Sequence, residues 1–154
     1  SALAGGVHTV YARVQDAAGN WSTVSSATLT VVQAIDDVLT ITANTQASQQ
    51  VDIAAPGLLA NDQPVGAAGR TAALATAPVR IDATGNLGTI TVTCPPSAAS
   101  GVCADGSYRI TLNADPGAQG GNARRASKRG TFQFTYTETL NGVPSTATVT
   151  ITVN

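Results

Sequence analysis

Charge is scarce in this 154-residue chain: charged residues make up 11%, with one Lys (Lys128), one Glu (Glu138) and a formal net charge of -1. Aromatic residues are also sparse at 4%, and there are one His, two Cys and no Met. A dedicated nucleic-acid binder needs a clear excess of Lys and Arg on one face, and the near-zero charge argues against that class. No apolar run approaches the roughly 20 residues that a membrane-crossing helix requires, and none resembles a signal peptide. One His and two Cys leave little for metal-assisted or nucleophilic catalysis. No Ser, His, Asp arrangement, phosphate loop or paired-carboxylate motif can be assembled, and no enzymatic activity is expected. The length still suffices to bury a real core.

Thr is abundant, at about one residue in seven. It alternates with Val and Ile, and β-branched residues suit a pleated, half-buried surface. An all-β chain is expected. The scarcity of Lys and Glu removes the usual helix-surface residues, and the Ala-rich residues 72–77 lack helical periodicity, so they read as loop or strand. Cys94 and Cys103 flank a Pro-Pro and Ser/Ala-rich turn with no His nearby to complete a zinc set. A local disulfide is the better reading, worth about 2 to 3 kcal/mol and implying an oxidising compartment. The alternative is two separate reduced thiols.

Residues 8–15 and 26–33 alternate as two strands around an Asx- and Gly-rich turn at 16–22, which makes a hairpin. Two strands alone are marginal in water, so this hairpin must pack on the chain, pair with another molecule, or belong to a further domain. Strands are then expected at 38–43, 50–54, 79–83, 87–93 and 107–113, and residues 115–129 should form a long mobile surface loop. The clearest pair is 131–140, with Phe132, Phe134 and Tyr136 inward, and 145–153, with Ala147, Val149, Ile151 and Val153 inward. Asn141-Gly142 begins the turn between them. Seven to nine short strands with no helix in residues 34–154 predict an immunoglobulin-like Greek-key β-sandwich.

The line Gly6-Val7-His8-Thr9-Val10-Tyr11-Ala12-Arg13, followed by Asp16-Ala17-Ala18-Gly19-Asn20, resembles the closing hairpin of a bacterial immunoglobulin-like or fibronectin-like surface repeat. The remainder is similar to the bacterial cadherin-like or immunoglobulin-like modules of large secreted adhesins. It carries the opening Asp36-Asp37, then Gly57-Leu58-Leu59-Ala60-Asn61-Asp62, and a closing Gly130-Thr131-Phe132-Gln133-Phe134-Thr135-Tyr136-Thr137 with Ser145-Thr146-Ala147-Thr148-Val149-Thr150-Ile151-Thr152-Val153. The resemblance implies two parts. Residues 1–33 would be the last hairpin of a truncated repeat, or an assembly hairpin, and 34–154 one sandwich domain. The Cys94 to Cys103 loop and the basic stretch before Gly130 depart from the pattern.

Such modules often rigidify their junctions with Ca²⁺, and hard cations want clustered carboxylate and carbonyl oxygens. Asp36, Asp37, Asn61 and Asp62 are the candidate calcium ligands, with Asp16 and Asn20 a second oxygen cluster. The plainer use of all six is turn formation. Arg124, Arg125, Lys128 and Arg129 could contact an anionic ligand, or simply form a solvated loop. A Lys to Asn isopeptide bond, another device of surface repeats, is not expected, because Lys128 falls in the polar loop while Glu138 points along the aromatic face. A buried Glu138 would need a partner such as an Arg or a hydroxyl group, which the sequence does not identify. His8 reads as a strand residue, and Trp21 as packing at a sandwich edge.

Three functions follow as expectations. The first is a non-catalytic structural or adhesive repeat of a bacterial extracellular or cell-surface protein, with neighbouring repeats, identical subunits, or host or matrix glycan or protein as partners. The second is a filament subunit in which the hairpin complements a neighbour's sandwich. The third is an accessory glycan-binding or spacer module of a secreted enzyme. No nucleic-acid partner and no membrane insertion are expected, and Ca²⁺ is the only cofactor suggested.

Overall fold

The computed structural model describes residues 2–82, 88–96 and 101–154. The chain opens with β1 (Gly6–Ala12) and β2 (Ser25–Val31), an antiparallel pair in continuous register from Gly6 opposite Val31 to Ala12 opposite Ser25. Then follow β3 (Asp37–Ile41), β4 (Ser48–Ile53), a short 3-10 turn (Gly57–Leu59), β5 (Arg70–Arg80), β6 (Thr89–Thr93), β7 (Tyr108–Asn113), α1 (Gly121–Lys128), β8 (Gly130–Leu140) and β9 (Val143–Val153).

The predicted all-β fold is present. Strands β3-β9-β8-β5 form a four-stranded sheet and β4-β7-β6 a three-stranded one, with the hairpin as a separate two-stranded sheet. β3 runs parallel to β9, and the other pairings are antiparallel. The two larger sheets face each other as a sandwich, and the strand order is compatible with the expected immunoglobulin-like arrangement. Alternation explains the core, because every second residue of a strand faces the same side. Phe132, Phe134 and Tyr136 of β8 and Ala147, Val149, Ile151 and Val153 of β9 are buried against Tyr108, Ile110 and Leu112 of β7 and Ile90 and Val92 of β6. Tyr108 meets Phe134 edge to face, with ring centroids 5.9 Å apart. The β8–β9 hairpin turns on Asn141 and Gly142, both with positive φ (52° and 80°), as a two-residue turn of matching twist demands.

Two segments differ from expectation. The Ala-rich residues 72–77, read as loop or strand, are strand; what differs is that the predicted strand at 79–83 is their continuation in one strand, β5, which ends at Arg80 and is interrupted by register shifts after Leu74 and after Thr76. These irregularities break the period-2 pattern, and they admit Pro78 into an edge strand. Ala83 and Leu87, the expected ends of the 79–83 and 87–93 strands, lie outside the described residues.

The expected mobile loop at 115–129 is instead capped by the α1 helix. Its inward anchors are Ser127 and Lys128, which are 8% and 1% exposed. Lys128 Nζ donates to Asn44 Oδ1 at 2.6 Å and to the Gln46 carbonyl at 3.0 Å, and Ser127 Oγ receives the Asp115 amide at 3.0 Å. A helix anchored by hydrogen bonds and not by apolar side chains leaves no hydrophobic period to read.

Candidate functional site at the hairpin–sandwich junction

The junction is built where the linker leaving β2 meets the start of β3. Gln33 pairs with Gln63 through two backbone hydrogen bonds, Gln33 N to Gln63 O at 3.1 Å and Gln63 N to Gln33 O at 2.9 Å. The Ala34 amide donates to Ser145 Oγ at 2.8 Å, and the Ile35 amide to Asp62 Oδ1 at 2.7 Å. Asp36 Oδ1 receives the Thr148 amide at 2.8 Å, beside the first β3–β9 pair, Asp37 opposite Val149. Asn61 Nδ2 reaches the Ile35 and Asp36 carbonyls at 3.4 and 3.3 Å. The fold therefore brings Asp36, Asp37, Asn61 and Asp62 together. Asp36 is committed to the edge of β9.

Beneath this linker lies a polar cluster in the sandwich end. Asp62 and Glu138 have no solvent exposure. Tyr136 Oη lies within hydrogen-bonding distance of Asp62 Oδ1 (2.9 Å), the Leu58 carbonyl (3.0 Å) and the Ile35 carbonyl (3.3 Å). A phenol has one proton to donate, so acceptors outnumber donors here. The partner that Glu138 needed is Arg70, whose Nε lies 2.7 Å from Glu138 Oε1 with both side chains sealed from solvent. The same two atoms lack an aligned hydrogen bond, so the contact is a close charge pair whose N–H is not aimed at the oxygen. Arg70 Nη2 donates to the Pro64 carbonyl at 2.6 Å.

The electrostatic consequence is direct. Burial, then the neighbouring Asp62 charge, pushes the Asp37 carboxyl up to about 6. Burial and Asp62 push Glu138 up to about 7, against the opposing pull of Arg70. Burial and the adjacent carboxylates hold the Tyr136 phenol well above its ordinary value. Asp37 Oδ2, Asn61 Oδ1, Asp62 Oδ2 and both Glu138 oxygens are buried without a hydrogen-bond partner. Unpaired, hard carboxylate and amide oxygens fit a hard cation. Among the described residues, however, no three of His, Cys, Asp or Glu are grouped to hold one ion.

The other candidates are placed as follows. Lys128 is withdrawn from the basic group into the protein, while Arg125 and Arg129 stay exposed. Arg124 lies on α1, half-buried. Burial lowers the Lys128 ammonium below its ordinary value. It contacts an Asn side chain, contrary to its expected place in a polar loop. Cys94 and Cys103 are disulfide-bonded with Cα atoms 4.8 Å apart, so the reduced-thiol alternative falls away; the enclosed residues 97–100 lie outside those described.

Asp16 spends both oxygens on its own turn, accepting from the Ala18 and Asn20 amides and from Asn20 Nδ2. The Asn20 amide is the main reason its carboxyl is held below the usual value. Trp21 is half exposed, and the Arg13 guanidinium lies 4.2 Å from its ring centroid. His8 Nε2 lies 2.8 Å from the Ala4 carbonyl, within its own strand region.

No protein-family model matches the chain, and no curated protein matches it significantly. Among the described residues, no helix is long and apolar enough to cross a membrane.

The raised carboxyls predict a reversed pH dependence. A folded-state value above the unfolded one means the folded chain binds the proton more tightly. The stabilisation from Asp37 and Glu138 is then complete below about pH 4 and is lost as pH climbs towards 7. Urea unfolding in chelator should show the chain more stable at pH 5 than at pH 8, by on the order of 2 kcal/mol. An equal or higher midpoint at pH 8 would contradict this.

Proposed function

We propose that the chain is a non-catalytic structural or adhesive repeat of a bacterial extracellular or cell-surface protein, and that its working feature is the junction. The observation that carries this reading is where the polar groups are concentrated. Asp62, Asn61, Ser145 and Thr148 all hold the linker between the hairpin and the sandwich. A module that transmits extension or sets spacing needs a fixed exit direction for its neighbour, and a bound linker supplies one. The disulfide suits the oxidising setting that this location implies.

Calcium extends the same reading. Asp37, Asn61 and Asp62 are the residues that would hold it, and it would neutralise the repulsion between the two carboxylates. Thermal unfolding should shift upward with millimolar-range Ca²⁺ relative to chelator, the range typical of extracellular modules. No shift would remove calcium from the account.

One observation favours assembly as a second reading. Alternation puts Val10, Ala12, Ala27 and Leu29 on one face of the hairpin, and Val10, Val14 and Leu29 are 50%, 73% and 43% exposed. An uncovered apolar face on two strands is a docking surface in want of a sheet. Sedimentation across a concentration series should then show self-association, and a chain that stays monomeric throughout would remove this reading.

A further inference from the structure

We propose that Arg70 is a tethered cation that occupies the Glu138 side of the junction cluster and closes it to a metal ion, confining any divalent cation to Asp37, Asn61 and Asp62. This inference rests on the cation reading above and adds to it the residue that limits the site.

The placement of Arg70 follows from sheet geometry. Ala72 stands opposite Glu138, and Arg70 stands opposite Leu140, two residues along the same face of β5. A residue at a diagonal position is within reach of a long side chain. The buried Ala72 methyl leaves room above Glu138, and the guanidinium fills it at 4% exposure. Its Nη2 is held by the Pro64 carbonyl, which fixes one arm of the fork while Nε lies against Glu138 without an aligned hydrogen bond.

The charge count shows what this accomplishes. Three carboxylates, Asp37, Asp62 and Glu138, share one guanidinium, and Tyr136 adds a single proton. Arg70 stands 2.7 Å from one Glu138 oxygen, whereas Glu138 Oε2, Asp37 Oδ2, Asn61 Oδ1 and Asp62 Oδ2 are buried without a hydrogen-bond partner. The guanidinium beside Glu138 is a cation already placed at that carboxylate. Removing it would free Glu138 as a third anionic ligand. Each added carboxylate raises affinity for a hard cation.

The test is a Ca²⁺ titration of the whole chain at pH 8, read by thermal unfolding from a chelator baseline. It compares wild type, Arg70→Gln, and the neutral pair Arg70→Gln/Glu138→Gln. Arg70→Gln should reach half of its stabilisation at a Ca²⁺ concentration lower by about tenfold, as a third ligand charge allows. The neutral pair should return to the wild-type midpoint. If Arg70→Gln is unfolded without metal, far-ultraviolet circular dichroism follows its folding during the same titration, with the neutral pair as the folded reference.

An Arg70→Gln midpoint at or above wild type overturns the proposal, as does a neutral pair that behaves like Arg70→Gln. A wild type indifferent to Ca²⁺ beside a responsive Arg70→Gln supports the tethered cation and overturns calcium binding by the native chain. If neither responds, both fall.

Discussion

A carboxylate with no solvent exposure must find its hydrogen-bond donors within the protein, and Asp62 finds them on two different elements at once. One oxygen takes the Ile35 amide from the linker and the Tyr136 hydroxyl from the central strand β8. Removing that carboxylate would strand the Ile35 amide, while Tyr136 keeps the Leu58 and Ile35 carbonyls within reach, and an orphaned buried polar group costs about 1 to 3 kcal/mol. The entry of the chain into the sandwich is thus tied to the middle of the core by a single side chain. The remaining linker contacts extend the same tie, Ser145 and Thr148 along β9 and Asn61 from the loop after the 3-10 turn.

The arrangement has an electrostatic imbalance built into it. β8 delivers Phe132, Phe134 and Tyr136 to the core and continues the same inward alternation with Glu138. Glu138 cannot leave the core without turning the aromatic residues out, since a one-residue slip inverts every side chain. Its charge is therefore answered locally, by Arg70 reaching across Ala72. Burial first, and then the Asp62 charge that one guanidinium leaves unbalanced, raise the Asp37 and Glu138 values. A proton or a cation relieves the same unpaired oxygens.

Much of this was legible in the sequence. Alternation found β8 and β9 with their inward residues, Asn141-Gly142 marked their turn, and the turn chemistry at residues 16–22 marked the first hairpin. Asp36-Asp37 and Asn61-Asp62 stood out as oxygen-rich pairs, and the fold brings them together. Three features were not legible, each for a physical reason. β5 carries two register irregularities and small side chains, which erase its period. α1 is held by Lys128 and Ser127, whose polarity reads as surface. The Arg70–Glu138 pair joins residues far apart in sequence through a diagonal cross-strand contact, and no local pattern specifies which Arg reaches a buried Glu.

The central claim is that Asp62 clamps the linker to the core, and amide hydrogen exchange at Ile35 tests it most directly. The Ile35 amide belongs to no strand, so the account predicts protection comparable to the core amides of β8, from its bond to a buried carboxylate. Exchange as fast as that of the exposed amides in the 16–22 turn would contradict the clamp.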